Sequence, residues 1–112
     1  MTEQVHAYGD DALAQHDGIA LAALIRSGEL SRREVIEAAL LRADKVDGEL
    51  HAVQVLDADR ALNAAARPGP FSGVPTFVKD NSDVAGLPTN HGSEAFTAAP
   101  AKKDAPRLAP WA

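Results

Sequence analysis

The sequence predicts an α/β fold, and three observations carry that expectation. Helical periodicity fills the front of the chain, two short apolar runs rich in β-branched residues follow, and every proline, from Pro68 to Pro110, falls in the second half. The order helix, helix, strand, helix, strand suggests layers of helix on sheet. A length of 112 residues is one domain or part of one. The hydrophobic content of 46% is that of a globular protein, but aromatics reach only 4%. Alanine supplies much of the apolar count and buries little area. The core should be shallow and the domain incomplete.

Asp17 precedes Ile19, Leu21, Ala22, Leu24 and Ile25, which predicts a helix with an acidic N-cap. Gly28 stands where a left-handed C-terminal cap belongs. Ser31 and Glu34 have the spacing of a capping box, in which each side chain satisfies an orphan backbone N–H of the other's residue. The helix they open carries Val35, Ile36, Ala39, Leu40, Ala43 and Val46 on one stripe and is expected to end near Gly48. Leu50 to Leu56 reads as a strand, with His51 inside it. Asp57 can cap a third helix through Ala58, Ala61, Leu62 and Ala65, stopped by Pro68 and Pro70. A turn over Phe71 to Gly73 leads into a second strand, Val74 to Val78, whose Pro75 puts it at an edge or at its own first residue. Beyond Asn81 the glycines and prolines predict ordered loop. Asp104, followed by Pro106, reads as the cap of a last helix that Pro110 and Trp111 interrupt. The divisions expected are a leader at 1–16, a domain portion at 17–106 and a divergent tail at 107–112.

Charge and composition exclude several classes. A formal charge of −5 argues against a nucleic-acid or anionic-membrane surface, which needs an excess of Lys and Arg on one face. With no cysteine there can be no disulfide or thiolate metal site, which fits a reducing cytoplasm. The first ten residues lack the basic and apolar regions of a signal peptide. No apolar run approaches the roughly 20 residues that span a bilayer. The expectation is a cytoplasmic protein. His6, His16, His51 and His91 are scattered without metal-ligand spacing, and no metal is expected.

One stretch carries chemistry. In Gly73-Val-Pro-Thr-Phe-Val-Lys79-Asp80-Asn81 a lysine stands at the end of a short apolar segment. An isolated lysine there can simply snorkel, with its stem packed and its ammonium in water. It can also be a general base if it is neutral near pH 7. A lysine amine titrates near 10.4 in water, so that role requires about three units of depression, on the order of 4 kcal/mol, which burial can impose. Asp80 faces away from Lys79 on an extended chain and reads as an acceptor for backbone N–H groups around Ser82 and Asp83. Asn81 does similar turn work. Ser93 lacks the Gly-x-Ser-x-Gly elbow of a nucleophile. Asp57 and Asp59 read as a helix cap and an exposed acid.

Read on through Gly86-Leu-Pro-Thr89-Asn-His-Gly92-Ser93, this stretch resembles the amidase signature family. The resemblance begins near Asp17 and is most specific from Gly73 to Ser93. It implies cleavage of carbon–nitrogen amide bonds by a Ser-Ser-Lys triad, with Lys79 exchanging a proton with a bridging serine that activates a nucleophilic serine. It implies that Thr89, Gly92 and Ser93 shape the loop lining the site. It further implies a larger mixed sheet wrapped by helices, a small-molecule amide substrate and no cofactor. The two serines would belong to a later Gly/Ser-rich segment that the 112 residues do not contain. The expectation is therefore a truncated front end, inactive alone, of a hydrolase or of a transfer-RNA-dependent amidotransferase of the A type. The readings outside the family are a small non-catalytic interaction module and a decayed gene product.

Overall fold

The computed structural model describes residues 4–64, 67–95 and 97–111. Three α-helices, α1 (Gly18–Ser27), α2 (Arg32–Leu50) and α3 (Ala58–Asn63), are followed by a terminal 3-10 helix, Pro106–Trp111. Each α-helix opens on a local side-chain cap. Asp17 accepts from the Ala20 N–H at 2.8 Å, and Asp57 accepts from Arg60 N–H at 3.3 Å. At α2 the capping box is complete: Glu34 N–H donates to Ser31 Oγ at 3.1 Å, and Ser31 N–H donates to Glu34 Oε2 at 2.8 Å. Gly28 ends α1 at φ 79°, in the left-handed region that costs glycine nothing.

Two helix ends differ from the sequence expectation. Helix α2 continues through Gly48 to Leu50, and His51 forms its cap at φ 49°. The Asp47 carboxylate decides this, because its Oδ1 accepts from Ala52 N–H at 2.8 Å and from Val53 N–H at 2.9 Å. Those donors point back at the helix, so 51–56 is irregular where the sequence predicts a strand, and His51 is a helix cap. At the other end, Asp104 does not cap the last helix. Its Oδ1 accepts from Ala85 N–H at 2.8 Å, and the helix it precedes is of the 3-10 kind.

Among the described residues there is no strand. Residues 74–79 run without regular pairing, and the β-type contacts are isolated bridges, Ala85 with Ala101 and Pro88 with Pro100. A strand exists only as half of a hydrogen-bonded ladder, and no described segment pairs with 74–79 to complete one. The structure is accordingly mostly helical, and the expected sheet does not form within it.

The buried apolar residues are Leu21 and Ala22 of α1 with Val35, Ile36, Ala38 and Ala43 of α2. Half of these are alanines, as the composition implies. The turn at 71–73 seals α1: a Cβ on Gly18 would touch the Phe71 ring at 3.5 Å, and one on Gly73 would meet Ile25 and Arg32 at 3.4 Å. Residues 9–14 are tied down by Arg42. Its guanidinium donates to both Asp11 carboxylate oxygens, at 2.7 and 2.6 Å, and to the carbonyls of Gly9 and Ala14. No helix among the described residues is long and apolar enough to cross a membrane.

Candidate functional site

Lys79 sits where the chain turns out of its extended run. Its carbonyl accepts from Asn81 N–H at 2.7 Å and from Ser82 N–H at 3.0 Å, which reverses the chain within three residues. The side chain is exposed and makes no hydrogen bond or ion pair among the described residues. From this turn springs a loop, 80–91, whose two roots are joined. Asp80 Oδ1 accepts from Asn90 N–H at 2.8 Å, and the Asp80 carbonyl accepts from His91 N–H at 2.9 Å. Asp80 thus bonds the far root of the loop and not the near turn around Ser82 and Asp83. Asn81 does lie in that turn, where its Oδ1 accepts from the buried Ser82 hydroxyl at 3.3 Å.

A second rung crosses the loop. The buried Thr89 hydroxyl donates to Asp83 Oδ1 at 2.7 Å. That bond commits the Thr89 hydroxyl to the inside of the loop. Beyond it, His91 and Gly92 take positive φ, 54° and 67°, and Ser93 N–H donates to the Asn90 carbonyl at 3.1 Å. Ser93 is exposed, and its Oγ accepts from Ala95 N–H at 3.1 Å.

Lys79, Asp80 and Ser82 lie on the wall of an open trough of about 930 Å³. It is lined by Ile36, Leu40 and Val46 of α2, by Leu50 and residues 52–57, by Arg60 and Ala61 of α3, and by Phe77, Val78, Val84 and Leu87. Thr89, Gly92 and Ser93 are not among its lining residues. The trough walls include large side chains left in solvent: Phe77 is 75% exposed and Leu56 58%. An open, mostly apolar hollow with one lysine among its lining residues can receive an apolar molecule or chain.

Among the described residues no group of three or more His, Cys, Asp or Glu side chains could hold a metal ion. Arg42, which also lines the trough, forms a tight ion pair with Asp11 at 2.6 Å. Hydrogen bonds from Arg42 hold the Asp11 carboxyl below the usual carboxylate range, and the same contact raises Arg42.

Comparison with known proteins decides the family. The family model for Amidase matches residues 34–109, which takes in α2, α3, Lys79 and the whole pinned loop. The chain belongs to the amidase family. A Mycobacterium tuberculosis protein named "Putative amidase AmiC" is 50% identical over 97 residues, 83% of this chain and 20% of the relative. The protein of the same name from Mycobacterium leprae is 49% identical over 96 residues, 84% and 20% of the two chains. The A-type subunit of the glutamyl-tRNA(Gln) amidotransferase of Acidothermus cellulolyticus is 39% identical over 92 residues, 73% and 18%. No solved structure matches the chain at a significant level. This amidase-family chain spans about a fifth of the length of the curated relatives it matches.

The residues that hold the loop at a distance, Arg60, Asp83 and Asp104, carry no signal in the sequence. Their partners are 6 to 25 positions away, and nothing local marks them. Asn81 is legible because a turn after a lysine-ended run calls for short polar side chains, whereas the bond from Asp80 to Asn90, ten positions away, is not.

Proposed function

We propose that this chain supplies the lysine-bearing part of a site that hydrolyses carbon–nitrogen amide bonds. The observation that supports it best is the placement of Lys79 among the residues lining the apolar trough, at the root of a loop closed by Asp80. Lys79 acts as the general base toward a bridging serine, which activates a second, nucleophilic serine. Both serines, and the donors that stabilise the oxyanion, lie outside these 112 residues. The substrate is a small-molecule amide, and the chemistry calls on no metal. Thr89, Gly92 and Ser93 shape the loop and take no part in bond breaking.

In this reading residues 17–106 form one portion of a larger domain with a mixed sheet, preceded by a leader and followed by a divergent tail. The extended run 74–79 becomes a strand once a neighbour pairs with its backbone. Covering the trough also desolvates the lysine, which a general base requires and the exposed side chain lacks. The higher identity to the mycobacterial amidases than to the amidotransferase favours hydrolysis over amidation of a charged transfer RNA.

The test is turnover. The 112-residue chain should hydrolyse aliphatic and aryl amides no faster than buffer, and Lys79→Ala should change nothing. Joined to the remaining portion of the M. tuberculosis relative, the segment should support hydrolysis that Lys79→Ala abolishes. Amide hydrolysis by the short chain that depends on Lys79 would overturn this assignment and require a nucleophile among Ser72, Ser82 and Ser93.

A further inference from the structure

Two charged side chains meet at one residue in the tip of the loop 80–91. Ala85 N–H donates to Asp104 Oδ1 at 2.8 Å, and the Ala85 carbonyl accepts from Arg60 Nη2 of α3. Arg60 is itself oriented by Asp57, the cap of its own helix, whose Oδ2 lies 3.5 Å from Arg60 Nε. The segment that carries Asp104 runs along the tip. Gly86 N–H donates to the Ala101 carbonyl at 2.8 Å, Ala101 N–H to the Leu87 carbonyl at 2.9 Å, and Ala105 N–H to the Asp83 carbonyl at 2.9 Å.

The backbone at Gly86 accommodates the same Arg60 guanidinium. It takes φ 83°, and a Cβ there would stand 2.9 Å from Arg60 Nη2. Only glycine gives the left-handed backbone without strain while leaving the guanidinium its place beside the chain.

We propose that Arg60 and Asp104 are positioning residues for the candidate site. Together they clamp Ala85 and so hold the loop whose two roots are Lys79 with Asp80 and Asn90 with His91. Neither residue touches a reacting atom. Loosening the clamp frees the tip, and because Asp83 and Thr89 link tip to root, it also frees the spacing between Lys79 and residues 89–93. This role rests on the assignment of Lys79 to the amide-cleaving site, but its test does not depend on turnover.

The experiment is residue-resolved amide hydrogen exchange on the 112-residue chain, comparing Arg60→Met, Arg60→Lys, Asp104→Ala and Asp104→Asn with the parent. Breaking either side of the clamp should speed exchange at Ala85, Gly86, Ala101 and Ala105 by about tenfold, the scale of one charge-assisted hydrogen bond. Val35 and Ile36 of α2 should be unchanged, which separates local release from unfolding. Arg60→Lys keeps a donor and Asp104→Asn keeps an acceptor, so both should restore most of the protection. Unprotected amides at the tip of the parent, an unchanged rate in Arg60→Met and Asp104→Ala, or failure of both conservative variants to restore protection would each overturn the proposal. A catalytic failure of Lys79 in the joined protein would leave these rates where they are, so the two ideas fail separately.

Discussion

Arg42 bonds Gly9, Asp11 and Ala14, and so holds residues 9–14 against α2. Its partner Asp11 is 28% exposed and Arg42 16%, so water screens the pair only in part. The folded carboxyl is depressed below its ordinary value of 3.8 by the Arg42 hydrogen bonds. A depressed folded value means the contribution is fully present above the unfolded value, near 3.9, and is lost as pH falls through the folded one. Residues 9–14 should therefore stay clasped from neutral pH down to about pH 4 and loosen below it. Asp11→Asn should weaken protection of the Leu13 and Ala14 amides at pH 7 and flatten its dependence below about pH 4. The check is amide exchange at those two residues from neutral pH down into the acid range; an equal acid response in parent and variant would refute the clasp. Nothing in the sequence marks this pair, because 31 residues separate its members.

At the scale of elements, what is legible is what the chain decides within four residues. Asp17, Gly28, Ser31 with Glu34, and Asp57 each act on a backbone group of their own helix, and each stands where the sequence places it. Ser31→Ala removes one side of the capping box and should cost about 1 kcal/mol, seen as a loss of helical signal at fixed urea. A rescue of that signal by Ser31→Asp but not by Ser31→Val would tie the loss to the cap. Strands are not legible in the same sense. Val74 to Val78 has the composition of a strand, but strand formation depends on a neighbour that composition does not supply. Residues 51–56 depart from the strand expectation for a different reason: one carboxylate, Asp47, captures two backbone donors and keeps the chain wound past Gly48. Of the candidate site, the lysine and its turn can be read in the sequence, whereas the clamp on Ala85 exists only once α3 and residues 101–105 come together.

For the molecule as a whole, area decides what to expect. A compact monomer of 11.7 kDa exposes about 5,900 Å², yet this chain exposes 8234 Å². Its radius of gyration is 15.2 Å where about 13 Å is usual for this length. The shape is a plate, 45 by 45 by 21 Å, with one apolar face open. Phe77, Leu56 and Leu50 lie on that face and remain 75%, 58% and 52% exposed. A core whose buried members are half alanine gives little hydrophobic stabilisation against the entropy of ordering the chain. The isolated chain should therefore unfold over a broad range of urea, and the unpaired run 74–79 should drive self-association. Circular dichroism through a urea titration, with sedimentation at several concentrations, measures both. Phe77→Ser should reduce association and leave the helical signal intact, because that ring packs on almost nothing in the single chain. A sharp transition and a dispersed NMR spectrum from a monomer would mean that the alanine-rich helices are sufficient by themselves, and that the open face costs the fold nothing.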